Sequence, residues 1–124
     1  MEKKSKSYRD LVVWQKSIAL VTETYRITET FPRQEAYGLI SQMQRSAISI
    51  PSNIAEGSSR HTKKDFMQFL HIALGSATEL ETQIIIARNL VYIHEQKYEQ
   101  SAQSLSEICR MLHGLINKLR LADN

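Results

Sequence analysis

The segment Arg45-Ser-Ala-Ile-Ser-Ile-Pro-Ser-Asn-Ile-Ala-Glu-Gly57 reads as helix on both sides of a proline, and this conflict limits the folds open to the chain more than any other feature. A proline inside a helix lacks the N–H that would bond the carbonyl four residues earlier, here Ala47. Its ring also crowds that carbonyl, and the combined cost is about 3 kcal/mol. Burial against neighbouring elements must offset it. At about 100° per residue, Met43, Ala47, Ile50 and Ile54 fall on one apolar stripe that can supply the burial. Arg45, Ser49, Asn53, Glu56 and Arg60 fall on another stripe. Ser49 and Asn53 are mediocre helix formers, so this second stripe reads as a polar network rather than a plain solvated face.

Four glycines and two prolines in 124 residues are too few to turn the many short strands of a sandwich or barrel. With 42% hydrophobic and 23% charged residues, the chain suits one domain with one core. The expected fold class is all-α, an up-down-up-down antiparallel four-helix bundle with its second helix kinked at Pro51. A flexible basic N-terminus over 1–7 precedes a bundle over 8–121, with helices at about 10–30, 34–57, 62–89 and 95–121. Asp10 is the expected N-cap of the first helix and Gly57 the C-terminal cap of the second, and Thr62-Lys-Lys-Asp65 has the form of a capping box. No apolar stretch reaches the roughly 18 residues of a membrane span and the charged start lacks a signal-peptide core, so a cytoplasmic protein is expected.

The first helix carries two apolar seams. Leu11, Trp14, Ile18, Val21 and Tyr25 are expected to face the core, leaving Val13, Leu20 and Ile27 for contact with another subunit. In the third helix Phe66, Leu70, Ala73, Ala77, Leu80 and Ile84 make a core face, and Ile72, Ile85 and Ile86 fall off it. Both off-core sets favour a homo-oligomer. Tyr98, Ala102, Leu105, Cys109, Leu112, Ile116 and Leu119 form the seam of the last helix, so Cys109 reads as a buried, inert thiol.

Charge is uneven: residues 1–64 hold eleven Lys or Arg against six Asp or Glu, whereas 65–124 hold five against seven. Lys3, Lys4, Lys6 and Arg9 crowd the start, and Arg60, His61, Lys63 and Lys64 crowd the second connection. Either cluster can meet the phosphate backbone of RNA or DNA without reading its sequence, although a solvated, solubilising surface accounts equally for a net charge of +3. Neither an RNA-recognition sheet nor a helix-turn-helix pattern is present.

Catalytic and metal signatures are missing. The residues three before His61, His71, His94 and His113 are Ser58, Gln68, Val91 and Arg110, so the Glu-x-x-His of di-iron bundles is absent, as are zinc motifs and glycine-rich phosphate loops. No cofactor and no metal are expected. Cys109 and His113 lie one turn apart without a third orienting group. Glu56 with Glu79 could serve as an acid–base pair if they converge, Glu81 being peripheral; a structural polar network of Arg45, Ser49, Asn53, Glu56 and Glu79 explains them better.

Asp10-Leu-Val-Val-Trp14, Phe31-Pro32, the Ser49-Ile-Pro-Ser-Asn-Ile-Ala-Glu-Gly57 run and Gly75-Ser-Ala-Thr-Glu-Leu-Glu-Thr82 occur in that order. Through these motifs the chain, from about Tyr8 to about Arg120, resembles the four-helix-bundle family encoded in intervening sequences of bacterial 23S ribosomal RNA genes. The resemblance implies a ribosomal-RNA context and assigns no reaction. A more distant likeness, to helical accessory proteins of diversity-generating retroelements, implies a pentameric ring that binds nucleic acid or a reverse transcriptase. The resulting expectation is a non-enzymatic homo-oligomer acting as a nucleic-acid accessory through Lys3, Lys4, Lys6, Arg9, Arg60, Lys63 and Lys64. The alternative is a protein-interaction module that uses the off-core apolar seams without nucleic acid.

Overall fold

The structure is a computed structural model that describes residues 7–122, so Lys3, Lys4 and Lys6 lie outside the described residues. It is all-helical: α1 spans Val12–Thr28, α2 Leu39–Ser58, α3 Lys63–Asn89 and α4 Glu95–Ala122. Short 3-10 turns at Tyr8–Asp10 and Arg33–Glu35 precede α1 and α2. Each helix packs on its neighbours in sequence and α4 closes back on α1, giving an antiparallel four-helix bundle. The α2–α3 interface is the most extensive and the α1–α4 interface the thinnest.

The core face of α1 is the reverse of the expectation. Val13, Leu20 and Ile27 are buried in the protomer, together with Ser17, Thr24 and Thr28 on the same face, so these apolar residues are not an oligomer seam. The sequence disguises this face because half of it is hydroxylic. Ser17 donates to the Val13 carbonyl at 2.7 Å, Thr24 to Leu20 at 2.8 Å and Thr28 to Thr24 at 3.0 Å. Each hydroxyl is satisfied within its own helix and is buried without an orphan donor. Ile18 and Tyr25, expected inside, are exposed, while Leu11, Trp14 and Val21 are partly buried against the α1–α2 edge.

Asp10 does not cap α1. It closes a capping box with Ser7 around the preceding 3-10 turn, and Leu11 opens α1 without a side-chain cap. The second helix starts later than its pattern suggests, because Pro32 leads into a 3-10 turn and Gly38 enters α2 through a non-helical conformation. From there α2 continues through the buried Pro51, with Met43, Ala47, Ile50 and Ile54 fully enclosed.

Gly57 lies inside α2, not beyond its end, and no glycine among the described residues has a positive φ. Close approach of α3 is what demands it. A Cβ built there would lie 2.6 Å from Phe69 Cβ and 2.9 Å from Phe66 Cδ1. Thr62 caps α3 by accepting from the Asp65 N–H at 3.1 Å. At the other end of α3, Tyr92 N–H bonds Ala87 O and Val91 N–H bonds Arg88 O, both at 2.9 Å, the paired bonds of a Schellman motif. Its left-handed position, usually glycine, is Val91 at φ 62° and 85% exposed.

Candidate nucleic-acid interface

Antiparallel topology brings together parts of the chain that are far apart in sequence. The start of α1, the α2–α3 turn and the C-terminus of α4 share one end of the bundle. Tyr8 borders a groove with Pro51, Ser52 and Ala55, which places the N-terminal turn against the second half of α2. Lys63 Nζ donates to the Ala122 carbonyl at 3.4 Å, which places the end of α4 against the start of α3. Arg9, Arg60, Lys63, Lys64, Lys118 and Arg120 therefore gather at this end, against Asp10, Glu56 and Asp65. Lys118 and Arg120 were not among the sequence candidates. Their signal is topological, since nothing local in the last helix distinguishes them.

These cations are held differently. Arg60 pairs with Glu56 at 2.9 Å and lies over the Phe69 ring at 4.8 Å, so it braces the α2–α3 turn as well as contributing charge. Arg9 lies over Tyr8 at 5.9 Å, and Tyr8 packs edge-on against Trp14 at 5.2 Å. Lys64 is exposed and makes no ion pair among the described residues.

The expected polar network forms only in part. Ser76 Oγ donates to Ser49 Oγ at 2.7 Å across the α2–α3 interface. Asn53 Nδ2 donates to the Ser49 hydroxyl at 2.9 Å and to the Ser49 carbonyl at 2.8 Å. This small cluster fixes the register of α2 against α3. Ser76 belongs to it, a residue the sequence marks only as part of the Gly75–Thr82 motif and not as a network member. Arg45, Glu56 and Glu79 stay outside it: Glu56 pairs with Arg60 instead, and Arg45 and Glu79 are exposed without an ion pair among the described residues. Gln83 is buried on α3, and its Oε1 lacks a hydrogen-bond partner.

Glu56 and Glu79 do not converge. With Ser49 facing Ser76, the two carboxylates lie in opposite directions from that contact, ten residues apart in all, or about 15 Å along the axis. Among the described residues no group of three or more His, Cys, Asp or Glu is arranged to hold a metal. Cys109 is half-buried rather than enclosed; burial, with a smaller contribution from Glu81, pushes its thiol pKa up, away from the reactive thiolate. No helix of the described residues is long and apolar enough to cross a membrane.

The surface also carries grooves between helices. Between α1 and α4 a trough of about 510 Å³ is crossed by the Lys16–Glu107 and Lys97–Glu23 ion pairs, the second at 3.4 Å. Between α1 and α2 an apolar groove of about 280 Å³ is lined by Tyr8, Trp14, Ile18, Val21 and Ile48. It adjoins a second groove of about 460 Å³ at Ile48, bordered by Tyr25 and Arg45.

The chain is similar to a solved protein of unknown function from the S23 ribosomal protein family of Bacteroides thetaiotaomicron VPI-5482. The two share 29% identity and superpose with a TM-score of 0.77, over 85% of this chain and 98% of that one. Among curated proteins none matches. A family model described as 23S rRNA-intervening sequence protein matches residues 9–114. That match takes in the α1 start, the proline-containing α2 and the Ser49–Ser76 contact, and the chain belongs to the 23S rRNA-intervening sequence protein family.

Proposed function

We propose that this protein is a non-enzymatic, self-associating cytoplasmic accessory that binds the phosphate backbone of a structured RNA through the basic end of its bundle. The gathering of cations from the N-terminal 3-10 turn, the α2–α3 turn, the start of α3 and the end of α4 carries this reading. Cations on one surface release counterions from a phosphate backbone together, whereas the same number scattered over the molecule would not. The ribosomal-RNA setting of the family supports RNA as the polymer. Self-association would repeat the basic end and multiply its field. Separation of Glu56 from Glu79 supports a binding role over a hydrolytic one.

Fluorescence anisotropy of a labelled RNA hairpin tests the proposal. If four phosphates are neutralised per protomer, affinity falls about 100-fold between 50 and 200 mM salt. Lys63→Glu with Lys64→Glu should flatten that slope while leaving the melting temperature in place. Salt-independent binding, or a slope unchanged in the double variant, refutes the assignment. The α1–α2 groove favours a second reading, a protein-interaction module. That reading predicts no RNA binding at any salt and a partner captured through Ile18 and Ile48.

A further inference from the structure

The last helix is electrically divided. From Glu95 to Glu107 it carries three acids and one lysine, whereas from Ile108 to Ala122 it carries Arg110, Lys118 and Arg120, with His113, and no Asp or Glu. Cations in the last turn complement the helix dipole, but that effect is confined to the last turn, and Arg110 lies about three turns before Ala122. Arg110, His113, Lys118 and Arg120 are all exposed, and the three cations make no ion pair among the described residues. Glu107, the acid nearest Arg110 along the helix, is held by Lys16.

Gly114 sits in the middle of this basic half. A Cβ added there would meet no atom within 4 Å, so nothing within the protomer requires a glycine, which costs the helix up to about 1 kcal/mol relative to alanine. Arg110 and Lys118 stand one turn before and one turn after it on the same outward row, about 12 Å apart, with Asn117 beside them. The missing side chain leaves a bare stretch of helix backbone between two cations, the form that lets a ligand's backbone come close. Gly75, equally open, lacks this setting: Ile72 and Glu79 flank it, and a carboxylate repels a phosphate. At its far end the row reaches the basic end of the bundle, where the Ala122 carbonyl accepts from Lys63.

We infer, resting on the RNA binding proposed above, that a paired RNA stem lays one strand of its backbone along the outer face of α4 and crosses the helix at Gly114, between Arg110 and Lys118. Single strands are held chiefly by aromatic rings that stack on their bases, and Ile108–Ala122 contains no Phe, Tyr or Trp. A paired stem instead offers phosphates and 2′-hydroxyls that are met by shape and charge. Arg110 and Gly114 thereby extend the phosphate contacts from the end of the bundle up the side of its last helix.

Anisotropy of a labelled RNA hairpin, titrated between 50 and 200 mM salt, tests the track. Arg110→Gln should lower the slope of log affinity on log salt by about 0.9, so that the fall in affinity across this range shrinks about 3.5-fold. Gly114→Gln should lower the slope by about 1.8, because its side chain holds the strand away from both flanking cations. The same variant should raise the melting temperature, since glutamine is the better helix former; a merely structural defect would lower both. Lys97→Gln, in the acidic half of the same helix, should leave the slope unchanged. An unchanged slope in Arg110→Gln or Gly114→Gln, an equal drop in Lys97→Gln, or an unpaired oligouridine bound as tightly as the hairpin overturns the track, and flattening by Lys63→Glu with Lys64→Glu in the same assay then leaves the basic-end reading standing. A wild type that binds no hairpin at 50 mM salt overturns both.

Discussion

Replacing Gly57 by alanine should destabilise the bundle, although the same change usually strengthens a helix. The glycine sits inside α2 where α3 comes closest, and the new methyl carbon would lie 2.6 Å from Phe69 Cβ and 3.3 Å from the Phe66 carbonyl oxygen. Neither atom is the free end of a flexible side chain, so α2 and α3 must separate. Overpacking of this kind costs about 1–3 kcal/mol, against a propensity gain below about 1 kcal/mol so near a helix end. A net loss of about 1–2 kcal/mol is expected. With an unfolding entropy near 2.1 cal/mol/K per residue, that lowers Tm by about 4–8 °C. Thermal melts by circular dichroism at one protein concentration measure it, a fixed concentration being used because the proposed self-association would raise apparent stability. Gly57→Asn separates this cause from the one the sequence suggests. At a left-handed cap asparagine is the best substitute for glycine; in a close helix crossing it is worse than alanine because it is larger. An asparagine variant as stable as the alanine variant, or an alanine variant as stable as the wild type, refutes the close-approach account.

Val91→Gly should raise stability by about 1 kcal/mol, read as a higher urea midpoint with unchanged slope, since a β-branched residue occupies the left-handed position of the Schellman motif and its side chain is 85% exposed. The Lys16–Glu107 pair predicts an acid-sensitive α1–α4 seam. Hydrogen bonding and charge from Lys16 hold the Glu107 carboxyl below its ordinary value, so its contribution is present at neutral pH and is lost as pH falls through its lowered folded-state value; Glu107→Gln should remove that part of the acid dependence in urea titrations. Tyr92 gives the opposite sign. Its hydroxyl donates to Glu35 at 2.9 Å, which raises its pKa, so this contact stabilises below the ordinary tyrosine range and is lost at higher pH; tyrosinate absorbance should appear later in the wild type than in Glu35→Gln.

The fold was legible because its signals are long and redundant. The apolar stripes of α2, α3 and α4 each run for several turns, and the burial of Met43, Ile50, Ile54, Leu70, Leu80, Leu105, Leu112 and Ile116 follows them. Helix ends were less legible because caps are local and have mimics: Asp10 and Gly57 both have the identity of a cap, yet one closes a 3-10 turn and the other sits in a helix crossing. The candidate interface was half legible. Charge crowding in sequence marks Arg60, Lys63 and Lys64, but Lys118 and Arg120 join them only because α4 returns to the same end.

The inversion of α1 has the widest consequence. Hydropathy ranks Trp14, Ile18, Val21 and Tyr25 above a face in which Ser17, Thr24 and Thr28 alternate with Val13, Leu20 and Ile27, so the sequence chooses the richer seam for the core. The fold chooses the other, because serine and threonine that bond their own helix carbonyls add little desolvation cost to a buried face. The richer seam is left at the rim, where Trp14 and Val21 pack against the edge of the core and Ile18 and Tyr25 face solvent. Trp14, Ile18 and Val21 meet Ile48 there to form the apolar α1–α2 groove, the surface on which the protein-interaction reading would have to act.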